Sequence, residues 1–326
     1  MNTKLDFHHI LITRFSVRLS ANSAFQGRSE DWLFNIDRLH QKLSLFQHVT
    51  LASILAGSAL PDSYLILIDP LLPGEILAKL KSIVSPFSWI HLKIINPGDI
   101  TKMQSISGFG NSIEKHHRYV LTTNLDDDDA LGVDYLKNLR THIAEGIAKN
   151  RFGRFHWFGS IDMKEWDILP CSDAPLGYVK PYSGNVLFTL STGYSVFTKN
   201  HNFAPTIFTL SHSRCLDYLT TKHRRVNFDA KGRKRFAFSF CFRAARMGAW
   251  VEMFKFLAGQ PFATRLDTDL NATFEGLIIN HGDNLQGGRI KQGMEVREPL
   301  SPELLDRKFG VRTAELIDEI SLHAQR

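Results

Sequence analysis

Four consecutive aspartates, Asp126 to Asp129, constrain this chain more than any other stretch. They follow the mostly apolar run Tyr119-Val-Leu-Thr-Thr-Asn-Leu125 and precede a long amphipathic pattern. Aspartate is poor inside strands and helices and favoured at their ends. The stretch therefore predicts a buried strand ending in a loop that opens a helix. Open α/β sheets place ligands at the carboxyl ends of their strands. Four like charges held there need a cation, and carboxylate oxygens suit Mg²⁺ or Mn²⁺, which usually also take substrate phosphates. The alternative is an acidic helix start, which would account for one or two aspartates. Four in a row repel, and that weighs against it.

The flanking sequence supplies the sheet. Ile10 to Val17 reads as a first buried strand, Tyr64 to Ile68 as a second and Trp89 to Ile95 as a third. Between them, Trp32, Ile36, Leu39, Leu43 and Phe46 recur at helical spacing, Leu51 to Leu55 adds a short helix, and Pro73-Gly-Glu75 opens another. Leu136, Leu139, Ile143 and Ile147 mark a helix face after the acidic run. This alternation predicts an α/β fold with a mostly parallel central sheet flanked by helices.

The second half is more irregular. Short strand candidates lie at 154–158, 186–190, 194–197, 250–257 and 274–280, with a helix candidate at 211–219 and terminal helices at 301–309 and 313–323. No repeat or linker stands out. The expectation is a single domain over 1–326, with a donor half at 1–150 and an acceptor-side half at 151–326.

Composition narrows the class. The chain has 326 residues, 43% of them hydrophobic, which is ample for a sizeable core. Its net charge of +6 suits an anionic partner without choosing one. The three cysteines, Cys171, Cys215 and Cys241, are far apart, so zinc and disulfide frameworks are weak readings and a reducing cytoplasmic setting is expected. The N-terminus lacks an apolar signal region, and no long apolar run is present to span a bilayer.

Leu11-Ile-Thr-Arg-Phe-Ser-Val-Arg18, Leu65-Ile-Leu-Ile-Asp69 and above all Leu121-Thr-Thr-Asn-Leu-Asp-Asp-Asp-Asp-Ala-Leu131 resemble glycosyltransferases of the GT-A fold. More narrowly, they resemble the rhamnosyltransferase family of bacterial polysaccharide synthesis. The likeness covers the first half well and the second half thinly. That family usually carries an Arg where this chain has Asn124. The resemblance implies a GT-A-like, Rossmann-like sheet, a nucleotide-sugar donor such as dTDP-rhamnose, a glycan or lipid-linked acceptor, and a Mn²⁺ or Mg²⁺ cofactor.

Chemistry then distributes roles. Charge develops on the leaving diphosphate as the glycosidic bond breaks, and a divalent ion stabilises it. In the D-x-D pattern, Asp126 meets the ribose or the metal and Asp128 binds the metal, with Asp129 supporting them or facing the acceptor. His281, in Ile279-Asn-His-Gly-Asp-Asn284, is the candidate late ligand that the resemblance implies; the alternative is a turn histidine. Arg14 and Arg18 are candidates to grip the diphosphate or base, because guanidinium forks match phosphate oxygens, against an ordinary surface pair. Asp69 is a nucleoside-binding candidate, against a turn aspartate before Pro70. Asp173 and Asp217 lead the candidates for general base, with Asp162 and Glu165 behind them. Asp267 and Asp269 also form D-x-D, but without a preceding strand, and read as a solvated turn. The basic loop 222–235 could touch anionic lipid peripherally, against a solvated loop; no aromatic-basic motif accompanies it, so nucleic acid is not expected. Two rivals remain: a non-catalytic metal- or carbohydrate-binding module, and a nucleotidyltransferase, which lacks its usual Gly-rich loop here.

Overall fold

The computed structural model describes residues 6–18, 30–112, 116–149, 155–158, 162–167, 178–181, 192–200, 202, 204–208, 275–280, 298–299 and 301–317. In chain order these form β1 (Phe7–Phe15), α1 (Glu30–Leu33), α2 (Ile36–Leu45), a π-helical turn (Phe46–Leu51), α3 (Ala52–Leu55), β2 (Ser63–Ile68), α4 (Gly74–Val84), β3 (Ile90–Ile94), β4 (Tyr119–Asn124), β5 (Ala130–Leu131) and α5 (Tyr135–Ala148). The second half contributes β6 (Phe155–Phe158), β7 (Asp162–Asp167), β8 (Tyr178–Pro181), β9 (Ser195–Lys199), β10 (Glu275–Asn280), β11 (Glu298–Pro299) and α6 (Pro302–Phe309).

The main sheet runs β3-β2-β1-β4-β9-β6. Its first four strands are parallel, β9 runs against β4, and β6 runs against β9. Helices cover the crossovers from β1 to β2 and from β2 to β3, and 3₁₀ turns fill the one from β3 to β4. This is the mostly parallel, helix-flanked arrangement that the alternation of elements predicts, and it is consistent with the GT-A-like, Rossmann-type fold that the resemblance implies. Parallel strands buried on both faces read as nearly continuous apolar runs, and β1, β2 and β4 do so. Phe7, Leu11 and Phe15 pack with Leu39, Leu43, Phe46, Leu80 and Leu139 on one face. Ile10 and Ile12 pack with Leu65, Val120, Met103 and Phe109 on the other.

A second sheet, β11-β8-β7-β10-β5, lies beside the first. Its contact with the N-terminal half is a third apolar cluster: Leu45, Val49, Ala130, Trp166, Leu305 and Phe309. The strands expected at 154–158, 194–197 and 274–280 and the helix at 301–309 are present within a residue or two. The segments 186–190, 211–219, 222–235, 250–257 and 267–269 lie outside the described residues. No helix among the described residues is long and apolar enough to cross a membrane.

Two expectations are corrected. The helix predicted over Trp32 to Phe46 and the separate one at 51–55 are joined, because the π-helical turn carries α2 into α3 without a break. The acidic run does not open a helix. It leads into β5, which pairs antiparallel with β10, and α5 begins only at Tyr135 with Asp134 at its N-cap position. The acidic-helix-start account of Asp126 to Asp129 therefore falls.

Candidate active site

The carboxyl edge of the main sheet gathers the first group. β1 sits between β2 and β4. At its exit Ser16 has φ of 50°, the one non-glycine among the described residues with positive φ. That bend costs a β-region residue its comfort. Either side of it, Arg14 and Arg18 go to different neighbours. Arg14 Nη2 lies 3.6 Å from Asp126 Oδ1, beyond β4. Arg18 turns toward the end of β2 and donates through Nε and Nη2 to the two oxygens of Asp69, each at 2.9 Å.

Asp69 is buried and heavily bonded. It also accepts from the backbone N–H of Arg18 at 3.1 Å and of Leu71 at 2.9 Å. Its carboxylate raises the pKa of Arg18 above the ordinary value, chiefly by hydrogen bonding. Arg18 Nη1 reaches Glu30 at 3.0 Å. Nearby, the Arg38 guanidinium stacks 4.0 Å from the Trp32 ring centroid and donates to Leu33 O at 3.1 Å. The expected nucleoside partner Asp69 is thus the strut that aims Arg18.

The acidic turn is the second group. Its aspartates alternate: Asp127 and Asp129 are buried, while Asp126 and Asp128 keep 31% and 14% of their side-chain surface. Neighbours explain the alternation. Asp127 meets the Lys42 ammonium, which rises from α2. Asp129 accepts from the Thr192 hydroxyl. The strand end itself is fixed from below. Leu125 N donates to Ile12 O at 3.0 Å, and Thr13 Oγ1 donates to Leu125 O at 2.7 Å while sharing a 2.8 Å bond with Tyr64 OH. Asn124, standing where the resembled family carries Arg, donates to Asp126 Oδ1 at 3.2 Å.

Thr192 is delivered by a tight turn. Gly193 sits at φ 74°, a region where glycine carries no Cβ penalty. Its N–H donates to Asn124 O at 2.8 Å, Asn124 N donates to Tyr194 O at 2.8 Å, and Tyr135 OH donates to Gly193 O at 2.6 Å. The stretch at 192–194 thereby supports the acidic turn.

Lys42 and Asp127 titrate against each other. Burial works against the charge on Lys42, yet Asp127 and Asp128 outweigh it and its pKa lies above the usual lysine value. Burial pushes Asp127 up, and Lys42 offsets this only in part because Asp128 and Asp126 repel its charge.

The structure therefore brings together Arg14 with Asp126, and Arg18 with Asp69, along one sheet edge. Asp128 stands one residue beyond the Lys42–Asp127 contact. Asp162 and Glu165 lie on β7. Asp173, Asp217 and His281 lie outside the described residues. Among the described residues no group of three or more His, Cys, Asp and Glu side chains is gathered to hold a metal. Sequence reasoning missed Lys42. It was detectable, since it falls on the same stripe as Leu39, Leu43 and Phe46, where a lone charge needs a buried partner. Thr192-Gly-Tyr194 reads in the sequence as an acceptor-pocket stretch or an ordinary glycine turn, and its bond to Asp129 carried no signal there.

No curated protein matches the chain. Residues 8–153, which span β1 to the end of α5 and hold Arg14, Arg18, Lys42, Asp69 and the whole acidic turn, match the model of a family described as "Putative rhamnosyl transferase". Through that stretch the chain is similar to the rhamnosyltransferase family, which supports glycosyl transfer as its reaction class.

Proposed function

We propose that this protein moves a sugar, rhamnose from a dTDP donor being the choice that the family name suggests, onto a glycan or lipid-linked acceptor in polysaccharide synthesis, with Mn²⁺ or Mg²⁺ as cofactor. One observation carries the reading. Arg14 beside Asp126, and Arg18 held by Asp69, lie with the acidic turn at the carboxyl ends of adjacent parallel strands, where such sheets bind nucleotides.

The residues fit a hard divalent cation. Asp126 and Asp128 offer oxygen ligands with part of their surface open, and the second oxygen of buried Asp127 has no hydrogen-bond partner among the described residues. Such an ion would stabilise the charge that develops on the leaving diphosphate. Arg14 and Arg18 supply fixed positive charge for the donor phosphates or base, and Asp69 keeps Arg18 aimed. β10 runs antiparallel to β5 and ends at Asn280, a direction that supports the next residue, His281, as a further ligand. Asp173 and Asp217 are assigned as the candidate bases for the acceptor hydroxyl, and the basic stretch 222–235 as a peripheral contact with an anionic membrane surface.

A thermal-shift screen of sugar nucleotides with and without Mn²⁺ tests the reading, because a specific ligand stabilises by mass action. The correct donor should raise the midpoint more with Mn²⁺ than with EDTA. Asp128→Asn should abolish both that difference and metal-supported turnover while leaving the protein folded. An Asp128→Asn protein with near-wild-type metal-supported turnover would show the metal assignment to be wrong.

A further inference from the structure

Lys42 is costly where it stands. It occupies the apolar stripe of α2 beside Leu39 and Leu43, both buried. Its ammonium meets Asp127 and lies 4.0 Å from Asp128 Oδ2. The acidic run is a turn closed by Asp129 N donating to Asp126 O at 3.3 Å. Within it Asp127 and Asp129 are buried against their partners, and Asp126 and Asp128 are the two that keep open surface. Thr192 provides one anchor and Lys42 the other. Without the Lys42 anchor, four carboxylates in one turn would spread by mutual repulsion.

We propose that Lys42 is a positioning residue for the outward carboxylate pair. It draws Asp127 into the fold and restrains Asp128 by its second contact, so that Asp126 and Asp128 present their oxygens to one cation. This deepens the proposed function and rests on its reading that those two carboxylates hold the divalent ion. Groups that orient metal ligands without touching the metal commonly govern affinity by 10–100-fold.

The test uses the full chain and Mn²⁺ alone, with the free ion followed by electron paramagnetic resonance. The paired replacement Lys42→Met with Asp127→Asn removes both buried charges at once. It strands neither member of the buried pair and keeps the summed charge of Lys42 and the turn unchanged. The Mn²⁺ dissociation constant should rise about tenfold, with the thermal midpoint nearly unchanged. Leu39→Ala, one turn earlier on the same face, should lower the midpoint and leave Mn²⁺ affinity within about twofold, because it forms a cavity without touching the turn. A rise of less than about threefold in the paired variant overturns the proposal. If the paired variant does not fold, Lys42→Gln carries the same comparison and the same threshold. Asp128→Asn separates the two ideas. If it leaves wild-type Mn²⁺ affinity intact, the cation reading fails and takes the Lys42 role with it. If it weakens Mn²⁺ while the paired variant does not, the Lys42 role fails alone.

Discussion

Arg18 and Asp69 form a two-pronged contact, Nε to Oδ2 and Nη2 to Oδ1, both at 2.9 Å, across the ends of β1 and β2. The carboxylate is fully buried and the guanidinium keeps 17% of its surface. The pair joins the loop after one strand to the loop after the next. Its geometry depends on the planar fork, which lysine lacks.

Removing one partner should be costly. Asp69→Ala leaves Arg18 with the exposed Glu30 in place of its buried partner, and the N–H groups of Arg18 and Leu71 without their acceptor. The expected loss is about 3 kcal/mol in urea unfolding. Arg18→Lys should lose less stability, yet weaken donor binding, because the charge survives and the aim does not. A loss below ~1 kcal/mol for Asp69→Ala would contradict a strut role.

His9 sets a pH dependence. It is wholly buried, its Nε2 shares a 2.9 Å hydrogen bond with Thr123 Oγ1, and burial, assisted by Arg140, lowers its pKa from 6.5 to about 3. The native state therefore stays unprotonated where the unfolded chain takes up a proton. Stability contributed by neutral His9 is complete above the unfolded pKa and declines as pH falls from 6.5 toward 3. At about pH 5 the loss should be ~2 kcal/mol. Comparing urea midpoints at neutral pH and at about pH 5 measures it. His9→Gln should flatten that slope, and an unchanged slope would assign the effect to other groups.

Gly310 closes α6 in the left-handed conformation, φ 62°, with its N–H donating to Asp306 O at 2.9 Å. A Cβ built there would stand 2.2 Å from the Cβ of Ala56. Gly310→Ala should therefore cost about 2–4 kcal/mol, from backbone strain and overpacking together. Adding Ala56→Gly should recover the overpacking share and leave the strain. Unfolding curves of the two variants separate these contributions, and a single substitution costing under ~0.5 kcal/mol would contradict the close approach.

The N-terminal half was legible because buried parallel strands write themselves as apolar runs. Tyr64 to Ile68 and Leu121 to Asn124 needed nothing but their own composition to be read. The acidic turn was legible as the end of a strand and misread as a helix start. Its true continuation depends on β10, which is about 145 residues away and carries no local signal. Lys42 was overlooked for a related reason. Its partner, Asp127, lies 85 residues along the chain, so only the polar interruption of an apolar stripe marked it. Asp69 showed the opposite case. A turn residue before proline seemed sufficient, yet four donors converge on it from two loops.

One helical stretch, α2 through α3, holds the acidic turn at both ends. Lys42 takes Asp127 near its start, and Ser53 Oγ accepts from Leu131 N at 3.4 Å near its finish. Between those two grips lies the π-helical turn, which accommodates an extra residue per turn compared with an α-helix. The spacing from Lys42 to Ser53 is thus a fixed length. Deleting a single residue within 46–51 can be absorbed by turning the π-helical turn into α-helix, whereas inserting one would rotate everything after it by about 100°. Either Lys42 or Ser53 would then face away from the turn. Chains that build this site the same way should tolerate substitution along the stretch and reject insertions within it.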